Sequence, residues 1–132
     1  MSFKDSETRT FKKPDYTYRV KVDRVIDGDT IDVYVYMGFY TVQRKRLRFL
    51  NVDTEEIRSS DSRRRVLAQE AKARVQELLD AADKVYVQTK MDTKGKYGRL
   101  LAWVWHEKDG IMTNLNEQLV EEGFQKAEFL PE

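Results

Sequence analysis

The sequence predicts a mainly β domain with added helices: a five-stranded Greek-key barrel, a helix after the third strand and a short helix near the C-terminus. Three observations carry this prediction. Apolar residues alternate with period two through the first part of the chain. They then recur at helical spacing between Leu67 and Ala82, after which the alternation resumes. Asp-Gly and glycine-rich turns separate the alternating runs.

Residues 1–15 are polar and charged around Pro14 and read as a flexible arm, leaving residues 16–132 as one domain. From Tyr16, the side chains of Tyr16, Tyr18, Val20 and Val22 face one way, while Thr17, Arg19, Lys21 and Asp23 face the other. This is a strand with one buried face. Asp27-Gly28 turns the chain, and Thr30 to Tyr36 follows as a second strand, rich in β-branched and aromatic residues. Gly38 marks another turn, and Tyr40 to Val52 returns as the third strand. Leu67, Ala71, Val75, Leu78, Leu79 and Ala82 then form one stripe of an amphipathic helix, capped by Ser60, Asp61 or Ser62. Lys84 to Met91 reads as a fourth strand and Arg99 to His106 as a fifth, with Trp103 and Trp105 on one face and at least one of them in the core. After Asp109-Gly110 a short helix starts near Asn114, with Glu117 in capping-box position, and stops at Gly123. Five strands interrupted by a helix after the third are the layout of the OB fold, a frequent host of oligonucleotide sites.

Composition narrows the chemistry. At 132 residues the chain supports one core. The formal net charge is only +1, so binding to a polyanion must come from local clusters such as Arg44-Lys45-Arg46-Arg48, or Arg58 with Arg63-Arg64-Arg65. The absence of cysteine excludes disulfides and thiolate metal sites, and a single histidine, His106, suits zinc poorly. His106 reads as an exposed residue at a strand end. A metal here would be an oxygen-loving ion such as calcium or magnesium. No segment reads as a signal peptide or a membrane span, so the expected setting is cytoplasmic, or secreted if a leader has been trimmed away.

Two acidic knots, Asp27-Gly28-Asp29-Thr30 and Asp53-Thr54-Glu55-Glu56, fall at strand ends with Arg48 between them. Clustered carboxylates repel one another unless a cation joins them. Hydrolysing a phosphodiester needs a Lewis acid, a carboxylate to orient water and guanidinium clamps for the developing charge. Asp29, Asp53, Thr54, Glu56, Arg48 and Arg99 include every residue type required. In an extended strand Arg48 and Asp53 would lie roughly 17 Å apart, so curvature or a bulge must bring them together.

These residues resemble the staphylococcal nuclease (thermonuclease) family from Val22 to about Ala127. The resemblance rests on Val25-Ile26-Asp27-Gly28-Asp29-Thr30, on Arg48-Phe49-Leu50-Asn51-Val52-Asp53-Thr54-Glu55-Glu56, on Lys96-Tyr97-Gly98-Arg99-Leu100-Leu101-Ala102 and on Leu119-Val120-Glu121-Glu122-Gly123. It implies a calcium-dependent nuclease that uses one ion to cut DNA and RNA, preferring single-stranded or frayed substrates, and leaves 3′-phosphate ends. Asp29, Asp53 and the Thr54 carbonyl would then hold calcium, Glu56 would act as general base, and Arg48 and Arg99 would grip the phosphate. Lys96 and Tyr97 would contact the terminal phosphate of the nucleotide, and Asp27 and Thr30 would support the metal loop. Counting from Gly123, Phe129 falls where the family has a base-stacking tyrosine; it keeps the stacking face and loses the hydroxyl. Glu55 stands where the family usually has proline.

Each feature also has a plainer reading. Asp27-Gly28 by itself is a hairpin turn, Lys96 to Arg99 is a turn, and Arg48 could pair with a neighbouring acid. Arg63-Arg64-Arg65 reads as a solvated loop or helix start, whereas Arg44 to Arg46 is better placed to touch backbone phosphate. The alternative functions are a non-catalytic nucleic-acid-binding or scaffold module on the same fold, and a calcium-binding module whose arginines are structural. The expected assembly is a monomer without membrane contact.

Overall fold

The computed structural model describes residues 15–95 and 98–126. The expected arm lies outside them except for Asp15, as do Lys96, Tyr97 and Phe129. Valine, isoleucine and threonine fill the long strands β1 (Thr17–Asp27) and β2 (Thr30–Gly38), and β3 (Thr41–Phe49) completes a three-stranded meander. Helix α1 (Ser62–Ala81) follows, then β4 (Lys84–Lys94), β5 (Leu100–Lys108), a short β6 (Ile111–Asn114) and helix α2 (Leu115–Glu121).

The strands run in the order β3-β2-β1-β4-β5-β6, and β3 also pairs in parallel with β5 through Leu47↔Leu100, Arg48↔Leu101 and Phe49↔Ala102. That extra pairing closes β1–β5 into the five-stranded OB barrel. Inside it lie Val20, Val25, Ile31, Val33, Leu47, Phe49, Val87, Ala102 and Val104, all buried. Val35, Val52 and Val85, with Ala68, Ala71, Val75 and Leu79 of α1 and Leu115 and Leu119 of α2, complete the buried apolar set.

Several expectations need correction. The stripe on α1 is rotated at its start: Ala68 is buried, whereas Leu67 is half exposed. Of the three expected caps Asp61 is the one used, its carboxylate accepting from the Arg63 and Arg64 backbone N–H groups. The alternation on β1 breaks at a register shift between Val22 and Arg24, which carries Val25 to the inside. On β5 the buried face is Ala102, Val104 and His106, and both tryptophans lie half-buried on the other face. His106 is therefore not exposed; its Nε2 lies 2.8 Å from Gln118 Oε1, a partner supplied by α2. Strand β6 was not expected because four residues with Ile111 and Met112 exposed carry no usable alternation. Among the described residues no helix is long and apolar enough to cross a membrane.

Candidate active site

The β1–β2 hairpin puts the first acidic knot at the end of the barrel. Asp27 pairs with Thr30, leaving Gly28 and Asp29 as a two-residue turn. The glycine is not there for a left-handed backbone, since Gly28 is absent from the positive-φ residues. It is there for space. A Cβ on Gly28 would come within 2.7 Å of the Ala71 Cβ on α1 and 2.9 Å of Thr54 Oγ1. Asp29 is buried and held from three sides: its carbonyl accepts from Phe49 N at 2.8 Å, Oδ1 from the Thr30 hydroxyl at 2.9 Å and Oδ2 from Thr54 N at 3.0 Å.

Arg48 reaches Asp53 because β3 does not continue to Val52 as expected. The strand stops at Phe49, Leu50 N bonds to the Ala102 carbonyl at 3.0 Å, and Asn51 takes a left-handed φ of 56°. The chain thus doubles back over the arginine. Arg48 Nη1 donates to the carbonyls of Phe49 and Val52. Its Nη2 donates to Asp53 Oδ1 at 3.0 Å and lies 3.4 Å from Asp29 Oδ2. Two carboxylates from distant parts of the sequence therefore converge on one positively charged nitrogen. Asp53 is tied further from the far end of the chain, with Lys126 Nζ 3.5 Å from Oδ2 and Lys126 N donating to the Asp53 carbonyl at 2.9 Å. Thr54 forms a β-bridge with Gln125 beside it.

This cluster opens into a groove of about 770 Å³ lined also by Asp27, Thr30, Glu56 and Arg99. Glu56 is exposed to the groove and Arg99 half-buried. Of the residues singled out from sequence, Asp29, Arg48, Asp53, Glu56 and Arg99 share this wall, and Thr54 anchors it from beneath. Burial is the main influence raising the pKa of Asp27, and the nearby Asp29 and Glu56 charges add to it; the Ile57 backbone N–H and Lys72 act the other way. Around the acids stand Arg24, Lys45, Arg46, Arg58, Lys72 and Lys94, a basic lining for a chain of almost no net charge.

The donor chemistry suits a hard cation. Asp29 and Asp53 turn carboxylate oxygens toward Arg48 Nη2, and carboxylate and carbonyl oxygens are the donors that calcium takes, six to eight at a time with water among them. Among the described residues no group of three or more acidic or histidine side chains surrounds a common metal position.

Three polar residues went unnoticed in the sequence. Lys126 gave no signal because its partner Asp53 is remote in sequence. Asp32, fully buried, accepts from both Arg44 and Arg46. Its position opposite Arg46 across β2–β3 was a usable clue. Asn116, also fully buried, bonds to Leu50, Ala102 and Val104 backbone groups.

The closed barrel, with acids and guanidiniums gathered in one groove at its end, is an OB-fold domain. More specifically, the chain belongs to the staphylococcal nuclease homologue family, whose model matches residues 46–131. It is 34% identical over 113 residues to Endonuclease YncB of Bacillus subtilis (strain 168), covering 86% of this chain and 49% of that protein. It is 33% identical over 113 residues to the SPbeta prophage-derived endonuclease YokF of the same strain, covering 86% of this chain and 35% of that one. With the Thermonuclease of Staphylococcus hyicus it shares 35% identity over 109 residues, or 83% of this chain and 59% of its relative. The chain thus spans about half the length of YncB and about a third of YokF.

Proposed function

We propose that this chain is a nuclease that hydrolyses the phosphodiester bonds of DNA and RNA with the help of one calcium ion, leaving 3′-phosphate ends. The observation that carries the reading is the convergence of Asp29 and Asp53 on Arg48 Nη2, at 3.4 and 3.0 Å, in a groove that Glu56 and Arg99 also line. Asp29, Asp53 and the Thr54 carbonyl would hold the ion, which would supply Lewis-acid stabilisation of charge on the phosphate oxygens. Glu56, the exposed acid, orients the attacking water and accepts its proton. Arg48 and Arg99 clamp the phosphate as it gains negative charge, a task for which a planar, two-pronged guanidinium suits better than an ammonium. Lys96 and Tyr97 contact the terminal phosphate and Phe129 stacks on a base; single-stranded or frayed substrates, whose bases are free to stack, are preferred. The chain acts as a monomer.

Nicking of single-stranded DNA tests the proposal with calcium, with chelator and with Glu56→Gln. The expected result is cutting that disappears with chelator and falls by about 10²–10⁴-fold in the variant, the range for loss of a general base. Undiminished cutting by Glu56→Gln would remove Glu56 from the base role. One observation favours the rival reading, a binding module without catalysis: Arg48 is already engaged by two carboxylates and two carbonyls, as a purely structural arginine would be. Binding of single-stranded DNA without cutting under any divalent ion would establish that rival.

A further inference from the structure

The outer face of β2–β3 carries a feature the cleavage groove does not use. The two strands join through Phe39 and Tyr40, a two-residue turn between Gly38 and Thr41, with φ of 51° and 61°. Left-handed φ at both central residues is the type I′ geometry, which selects Asn-Gly. Here it holds two aromatic rings instead, both wholly exposed. A residue pair that is unfavourable for its backbone and unburied by its fold gives the fold nothing, so its use lies in what it meets.

Back from this tip, the cross-strand pairs Tyr34↔Arg44, Asp32↔Arg46 and Thr30↔Arg48 lead along one face of the ribbon to the cleavage groove. Tyr34 is exposed. Arg44 donates from Nε to Asp23 and from Nη2 to Asp32, and Arg46 donates from both Nε and Nη2 to Asp32, at 2.8–3.2 Å. Each guanidinium is thereby held in one orientation with Nη1 left for another acceptor. Both arginine side chains are about half exposed, at 46% and 61%, and Arg46 also lines the groove wall. Arg44, Arg46 and Arg48 recur every second residue, roughly 7 Å apart along the strand, a step on the scale of one nucleotide in an extended single strand.

We propose that this face is an exosite for single-stranded nucleic acid: Arg46 and Arg44 bind successive phosphates of the strand leaving the groove, and Phe39 and Tyr40 stack on its bases at the hairpin tip. The chemistry is that of single-strand recognition in general, a cationic track alternating with aromatic platforms. The proposal takes the groove as a nucleic-acid site and so rests on the function proposed above. Phe39 lies nine residues from Arg48 along an extended strand, roughly 30 Å, so a dinucleotide in the groove cannot reach the tip.

The test uses a double variant, Phe39→Asn with Tyr40→Gly, which removes both rings and supplies the sequence this turn prefers, so that folding is kept. Equilibrium binding of a single-stranded oligonucleotide of about sixteen nucleotides, the upper end of what one such barrel covers, is measured in chelator, where no cutting intervenes. The variant is expected to bind about tenfold or more weakly than wild type, with dinucleotide binding unchanged. Arg44→Gln is expected to reduce the salt slope of oligonucleotide binding by about 0.7, one single-strand phosphate contact. Wild-type affinity of the double variant for the long strand would overturn the exosite. So would a tip that binds phosphatidylserine vesicles while oligonucleotide affinity stays the same. If the wild type cuts nothing with calcium, the nuclease reading falls, while the binding comparison in chelator still decides the exosite.

Discussion

Asp32 has no solvent-exposed surface, and it stays ionised only because Arg46 and Arg44 come to it from the neighbouring strand. The hydrogen bonds from Arg46 are the main cause of a pKa held below the usual aspartate value; burial opposes them without prevailing. A depressed pKa in the folded state stabilises the fold above the unfolded carboxylate's pKa, near 3.9, and that contribution disappears as pH falls through the folded value. Asp32→Asn is therefore expected to lower the urea midpoint at pH 7, with the gap from wild type closing at acid pH. A gap that persists unchanged at pH 2 would show that the carboxylate charge contributes nothing. At this scale Asp29, Arg48, Asp53 and Glu56 stand out in the sequence by residue type and motif, and the fold brings them to one groove. Lys126 does not, since a lysine after α2 has no meaning until the fold sets it beside Asp53.

Among the elements, helix α1 shows both what periodicity captures and what it misses. Its existence and most of its buried face follow from the spacing of Ala71, Val75 and Leu79, and its start from Asp61. Its closeness to the β1–β2 turn does not. Ala71 faces Gly28 so closely that an added methyl group would meet it at 2.7 Å, carbon against carbon, with neither group able to rotate away. Gly28→Ala is expected to cost about 2 kcal/mol through overpacking, seen as a lower urea midpoint with an unchanged slope. The same variant should weaken the acidic knot, because Asp29 is the next residue and Thr54, its hydrogen-bond donor, also meets the new methyl. Stability equal to wild type would mean that the helix shifts freely. Asp-Gly thus reads correctly as a turn in the sequence, though the need for glycine comes from the helix.

For the molecule as a whole, the decisive contact is the closure of β3 on β5, and Asn116 secures it. Its side-chain amide donates to the carbonyls of Leu50 at 2.9 Å and Ala102 at 3.0 Å and accepts from Val104 N at 2.8 Å. One side chain on α2 therefore joins the turn after β3 to the strand that closes the barrel. Asn116→Ala takes this partner from three backbone groups; the Ala102 carbonyl keeps the Leu50 N–H, while the buried Val104 N–H loses its acceptor, at a cost of about 2 kcal/mol. Chemical denaturation should show that loss, and the cutting proposed for this chain should fall with it because the turn after Phe49 is what returns Asp53 to Arg48. A variant as stable as wild type would remove Asn116 from this role.

By itself the sequence determined the barrel class, the order of its first five strands, the two helices and the residue types of the site, because periodicity, turn chemistry and reactive groups are local properties. Only the tertiary structure decided that β3 ends at Phe49, that Arg48 Nη2 lies between Asp29 and Asp53, that His106 is buried and that Lys126 joins the acidic knot. Each of these depends on contacts between residues far apart in sequence, where the closure of a barrel rather than any neighbouring residue sets the distance.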